Sequence, residues 1–164
     1  MSKIYHIGLA VPDLQHGMQQ LGALFDLTWR PIVSFSAPMT GGDGRQLDIT
    51  INFTFSRGGP FSLEVWQSIP DTPLATPESG WFHHIGYWVD DVAKERDRLN
   101  ELGHPSVLNW GENLLVHRGP GHLMVEPVNS RQDWPYLRDL FPAGSPFAGE
   151  PDFSKAQWQE ITGS

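Results

Sequence analysis

One stretch of this sequence occurs twice, and that repeat limits the fold more than any other feature. Sliding the chain by 78 positions lays YHIGLAVPD, residues 5–13, on HHIGYWVDD, residues 83–91. His6 falls on His84, Ile7 on Ile85, Gly8 on Gly86, Val11 on Val89 and Asp13 on Asp91, and the register continues with Leu21 on Leu99 and Leu24 on Leu102. A shared offset over this length marks two copies of one supersecondary unit, each opening on a strand that carries a histidine.

Within the first copy, Ile4–Val11 alternates as a strand and Pro12-Asp13 stops it. Asp13 then caps a helix whose Leu14, Met18, Leu21 and Phe25 share one face. Strands are expected at Trp29–Ala37, Gln46–Phe55 and Phe61–Gln67, with Pro38–Gly44 a loop by composition. The second copy repeats the order. Its opening strand is Phe82–Val89, its helix runs from an Asp90 or Asp91 cap to Leu102, and short strands follow near Ser106–Trp110, Asn113–Arg118 and His122–Val128. The expectation is an α+β chain of two tandem βαβββ modules, residues 1–67 and 81–128, forming an incomplete barrel-like curved sheet with helices outside. Residues 68–80, with three prolines, connect them. A tail follows over residues 129–164, carrying Trp134, Tyr136, Phe141, Phe147, Phe153 and Trp158, too many large apolar groups to leave in water. It is expected to pack on the domain or on a partner subunit.

Charge and composition exclude several classes. With 11 basic against 19 acidic residues the net charge is −8, and the basic residues are scattered singly, so neither nucleic acid nor an anionic membrane surface is an expected partner. There is no cysteine, hence no disulfide framework, thiolate metal site or cysteine nucleophile. No apolar run reaches the ~20 residues of a membrane helix, and a cytoplasmic location is expected.

The two-residue period of each strand separates an apolar set, which includes Tyr5, Ile7, Ile49, Ile51, Phe53 and Phe55, from a mixed polar set. The apolar set is expected to pack against the helices. The polar set holds His6, Asp48, Asn52, Glu64, Trp66, His84, Trp88, His122 and Glu126, and it is expected to line a concave cleft. Two histidines and two glutamates, one of each per module, then share a surface. Imidazole nitrogen with carboxylate oxygen suits one divalent transition ion, Zn, Co, Ni, Mn or Fe, whereas calcium and magnesium prefer all-oxygen sites. His6, Glu64, His84 and Glu126 are therefore the expected metal ligands. Taken singly, each is better explained by a structural or solvated role; their symmetric recurrence favours the metal. His83 points to the helix side as a packed histidine. His117 and His122, in the last strands, are candidate substrate contacts, with Asn52, Trp66 and Trp88 on the polar face; the tryptophans suit an apolar or ring-bearing substrate.

The paired units, the openings YHIGLAVPDL and FHHIGYWVDDV, and the closing strands FSLEVWQ and HLMVEPV resemble the vicinal oxygen chelate superfamily, also called glyoxalase/bleomycin-resistance/dioxygenase-like, over roughly residues 3–128. The resemblance places ligands at His6, Glu64, His84 and Glu126. It is nearest in look to methylmalonyl-CoA epimerases, and it implies proton transfer on the carbon next to a substrate oxygen held by the ion, in an isomerase, epimerase or lyase. Glu126 is then the expected base and Asp48 the second acid/base, where those epimerases carry a glutamate. No basic cluster offers a seat for coenzyme A phosphates. Two rival classes remain: an extradiol dioxygenase-like iron enzyme, disfavoured by the fourth ligand Glu64, and a metal-free protein that binds a small aromatic molecule. The resemblance also implies a small-molecule substrate and a homodimer.

Overall fold

A computed structural model of the chain describes residues 3–58 and 61–151, with the side chains of Lys3 and His122 outside that description. Strand β1, Lys3–Val11, leads into helix α1, Leu14–Phe25, and then into β2, Val33–Gly41, β3, Gln46–Phe55, and β4, Ser62–Gln67. The order then repeats as β5, Phe82–Val89, α2, Val92–Glu101, β6, Ser106–Trp110, β7, Leu114–Arg118, and β8, Met124–Asn129. The helices start where short acidic side chains meet free amides: Asp13 accepts from the His16 N–H at 2.7 Å and Asp91 from the Lys94 N–H at 2.9 Å. Residues 120–122 form a 3₁₀ turn after Gly119, so His122, which the sequence places at the start of the last strand, belongs to the turn instead.

The sheet closes on itself in the order β1-β4-β3-β2-β6-β7-β8-β5, so the barrel is complete where the sequence suggested an incomplete one. Each module pairs its first and last strands in parallel, β1 with β4 and β5 with β8, and the modules meet through antiparallel β1 and β5. The second seam is short: Thr40 pairs with Asn109 and Gly41 with Leu108. It exists because β2 extends four residues past Ala37, through part of the stretch read as a loop, and because the Gly42 N–H then donates to the Val107 carbonyl at 2.9 Å. A Cβ on Gly42 would sit 2.6 Å from the Ser106 carbonyl oxygen, so only glycine lets the two backbones meet.

Two apolar cores result. One fills the barrel and includes Phe35, Ile51, Phe53, Phe55 and Trp66; the other lies between α1 and the sheet and joins Val11, Leu14, Leu21 and Val65. The helices contact β4, β7 and β8, which leaves the outer face of β2 and β3 to water. This inverts the expected facing of β3. Ile49, Ile51, Phe53 and Phe55 point into the barrel, while Asp48 and Thr50 are exposed and Asn52 half-buried on the outside. On that outer face Thr50 hydrogen-bonds Ser36 at 2.8 Å.

The tail packs on its own domain. Residues 130–149 form a strap in which Trp134, Tyr136, Leu137, Leu140 and Phe141 are buried, and Phe153 and Trp158 lie outside the described residues. Arg30, itself buried, fixes the strap. Its guanidinium donates to both Asp139 oxygens at 2.7 and 2.8 Å and to the Tyr136 carbonyl at 2.6 Å. The Tyr136 hydroxyl donates back to the Pro31 carbonyl at 2.6 Å, and the Trp88 indole N–H donates to the Leu140 carbonyl at 2.8 Å.

Candidate metal centre

The register of four neighbouring strands builds the site. Gly8 lies between Glu64 on β4 and His84 on β5, and Gly86 lies between His6 on β1 and Glu126 on β8. Each glycine makes room for the other module's imidazole: a Cβ on Gly8 would fall 1.7 Å from a His84 ring carbon, and one on Gly86 1.9 Å from a His6 ring carbon. The rings reach inward over the glycines, and the glutamates close from the flanking strands.

Four donors converge. The Nε2 atoms of His6 and His84 are 2.7 Å apart. Oε2 of Glu126 lies 3.2 Å from His6 Nε2 and 2.9 Å from His84 Nε2, and Oε2 of Glu64 lies 3.4 and 3.2 Å from them. All four residues are buried, and one ligand atom from each falls within 4.8 Å of the others. Four nitrogen and oxygen ligands at ~2.1 Å from an ion stand about 3.4 Å apart at tetrahedral angles, close to the 2.9–3.4 Å of the four imidazole–carboxylate pairs, while the two imidazole nitrogens at 2.7 Å would have to move apart to share the ion. Two buried carboxylate oxygens facing two imidazoles form a costly arrangement that a 2+ ion relieves. The residues fit the ion.

Without metal the charges settle among the side chains. Burial alone would push the His84 imidazole down, but the carboxylates of Glu126 and Glu64 outweigh it and raise it to about 9. Burial would likewise raise Glu126, yet the two imidazoles hold its carboxyl well below the usual range. His83 has a larger part than packing. Its Nε2–H donates to the Pro73 carbonyl at 2.7 Å, which leaves Nδ1 to accept from His84 Nδ1–H at 3.2 Å. Burial, and then the charge on His84, lowers His83 to about 4, so it stays neutral and fit to accept. This bond fixes the His84 ring with Nε2 toward the centre. Trp66 stacks on the same ring, centroids 4.8 Å apart and planes 17° from parallel.

A cavity of about 60 Å³ borders the donors, with His6, Glu64 and Glu126 in its wall. Tyr5 lines it too, which the sequence did not indicate. The register of β1 against β5 shifts between Ile4 and His6, and this bulge at Tyr5 turns a residue assigned to the helix side toward the interior. Tyr5 lies edge-on to His6 and stacks on Trp88 at 4.1 Å. Burial, with Glu126 and Glu64 beside it, holds its phenol well above the usual range. Phe35, Trp66 and Trp110 form further walls, and the strap contributes Trp134 and Leu137. Asn113, held by Gln132 at 3.1 Å, is a neutral polar group in the lining.

Of the residues singled out in the sequence, the structure brings together His6, Glu64, His84, Glu126 and Trp66. Trp88 supports Tyr5 and the strap from behind, stacking on Phe141 at 4.4 Å, and does not line the cavity. Asp48 and Asn52 are on the outer face, separated from the donors by the sheet itself. His117 is buried with Nδ1–H donating to the His104 carbonyl at 2.7 Å, away from the cavity lining. The His122 side chain lies outside the described residues.

Residues 5–113 match the family described as Glyoxalase/Bleomycin resistance protein/Dioxygenase superfamily. No curated protein matches the chain. Among solved structures, a hypothetical protein from Bacillus halodurans is 16% identical over 81% of this chain and 97% of its own, with a TM-score of 0.54. A methylmalonyl-CoA epimerase from Streptomyces coelicolor, in complex with 2-nitronate-propionyl-CoA, is 14% identical over 77% of this chain and 93% of its own, with a TM-score of 0.56. A 4-hydroxymandelate synthase from the same organism is 22% identical over 78% of this chain and 38% of its own, with a TM-score of 0.51. At these identities the likeness is one of fold.

Proposed function

The chain belongs to the Glyoxalase/Bleomycin resistance protein/Dioxygenase superfamily, and we propose that within it this protein is a divalent-metal enzyme that moves a proton on a carbon next to a substrate oxygen. The observation that carries this reading is the convergence of His6, Glu64, His84 and Glu126 beside a cavity. A Zn, Co, Ni, Mn or Fe ion held by these four would supply a Lewis acid for that oxygen. The chain's own residues do the rest.

His83 and Trp66 hold the His84 ring in place, and the aromatic walls exclude water, which strengthens every charge interaction inside. A carboxylate takes the proton. Glu126 is the base expected from sequence, but it lies closer to both imidazoles than Glu64 does, by 2.9 and 3.2 Å against 3.2 and 3.4 Å. The more loosely held Glu64 is therefore the better placed to swing to substrate. Among the described residues no further carboxylate lines the cavity. This favours a one-base isomerase or lyase over a two-base epimerase, because Asp48 is across the sheet. The small-molecule substrate is received within one chain, so the proposed cytoplasmic homodimer is not needed to complete the site.

Elemental analysis of the purified protein tests the reading, with a His6→Ala, His84→Ala double variant as control. About one divalent ion per chain, lost in the variant, is the expected result. No ion after reconstitution with Zn, Co, Ni, Mn and Fe would sink it and leave the second reading, a binding protein for a small apolar molecule, which the aromatic lining favours.

A further inference from the structure

Charge, walls and size together narrow what the cavity holds. Glu64 and Glu126 supply two negative charges and the histidines bind metal as neutral imidazoles, so a 2+ ion is already neutralised by its protein ligands. Among the described residues that line the cavity there is no lysine or arginine. An anionic ligand would therefore be buried with no counter-charge, at a cost that a neutral ligand avoids. The polar groups left in the wall are neutral, among them Asn113, the Tyr5 phenol, and Trp66, whose buried indole N–H has no acceptor among the described residues.

The remaining lining is aromatic and aliphatic, and its volume of about 60 Å³ is far below the ~300–1,000 Å³ of sites for drug-sized ligands. Part of that limit comes from outside the matched family region, which ends at residue 113. Trp134 and Leu137 reach the cavity from the strap, which the buried Arg30 holds through Asp139 and the Tyr136 carbonyl.

Resting on the metal reading above, we propose that this site takes the uncharged, apolar end of a small molecule, no larger than one ring, and that Trp134 and Leu137 set how far it enters. The phosphates of a coenzyme A thioester find no lysine or arginine among the described residues that line the cavity. The epimerase resemblance then extends to the fold and the donor set and stops short of the substrate.

The test compares two probes of nearly equal shape, 2-hydroxyacetophenone, which is neutral, and benzoylformate, which is an anion, together with the naphthyl analogue of the first and acetyl-CoA. Binding is read by calorimetry and tryptophan fluorescence, and metal content is measured on the same samples. The intact protein is expected to bind the neutral ketone at least about tenfold more tightly than benzoylformate and to show no binding of acetyl-CoA. Leu137→Ala and Trp134→Ala are expected to gain at least about tenfold for the naphthyl ketone. Equal or tighter binding of benzoylformate by metal-loaded protein would overturn the proposal while leaving the metal reading intact. A naphthyl ketone that gains nothing in both variants, or a Kd for the neutral ketone weaker than about 1 mM, would overturn it as well. A protein that takes up no metal after reconstitution would sink the metal reading and with it the charge balance on which this proposal rests, an outcome that the metal content of the same samples tells apart from a lost neutral preference in metal-loaded protein.

Discussion

The His84 ring occupies the space that a side chain on Gly8 would need, with a Cβ there only 1.7 Å from its Cε1. Gly8→Ala should therefore displace the ring and lower metal affinity by at least about tenfold, with an overpacking cost of about 1–3 kcal/mol in stability. Metal titration and thermal unfolding check this together. Unchanged affinity would mean that the imidazole does not lie over the glycine.

His83 touches no donor atom of the centre directly, yet it accepts from His84 on the far side of the ring. His83→Ala should lower metal affinity by about 10–100-fold, the usual effect of removing an outer partner, and leave the fold in place by circular dichroism. Wild-type affinity would reduce His83 to packing.

Metal-free protein should lose stability as the solution becomes alkaline. The His84 imidazole is raised from 6.5 to about 9 in the fold, so its stabilising contribution is full below pH 6.5 and is lost as pH rises through about 9. Glu126 is lowered, so its contribution is full above about pH 4.5 and is lost only in stronger acid. Melting temperatures of chelated protein should be highest near pH 6.5, falling toward pH 9 as His84 gives up its proton and falling below pH 6.5 because buried His83, lowered to about 4, resists the proton that the unfolded chain takes up. Metal uptake should release a proton over the same alkaline window. A flat profile between pH 6.5 and 9 would show that His84 carries no extra proton.

The strap should loosen when its ion pair is cut. Arg30 is fully buried at its side chain and Asp139 about a third exposed at 33%, so Asp139→Asn leaves a largely buried cation short of its partner. A loss of about 1–3 kcal/mol is expected, below the ~3–5 kcal/mol of a wholly buried pair. Proteolysis within residues 130–149 should speed up. Unaltered cleavage would locate the hold elsewhere.

Glutamine keeps an oxygen for the ion but cannot take a proton. Glu64→Gln should cut kcat by at least about a hundredfold with metal retained, and Glu126→Gln should cost less in kcat. The reverse order would restore Glu126 as the base.

Much of the centre was legible in the sequence because a duplication samples one arrangement twice. His6 and His84, with Glu64 and Glu126, stood out as matching pairs, and strand period put each pair on one face. What the period does not give is which face looks inward. Asp48 and Asn52 were misplaced because polar alternation on β3 reads the same whether the polar side meets a cleft or water, and the answer depends on which strands the helices cover. Tyr5 was invisible for another reason: a single bulged residue reverses the alternation locally. Closure through Gly42 and the seating of Trp134 and Leu137 depend on contacts between segments far apart in the chain. The density of aromatic residues in the tail signalled burial without saying against what.

The crossed housing of the two imidazoles also bears on how such a chain arises. Each half of the protein carries the glycine hollow for the histidine of the other, so neither half owns a complete centre. A lone ancestral module would have had a histidine with no chamber and a chamber with no histidine, and the centre would have appeared only when two copies paired edge to edge. Joined in one chain the two halves can differ outside the centre, and here the second half alone continues into the strap of residues 130–149.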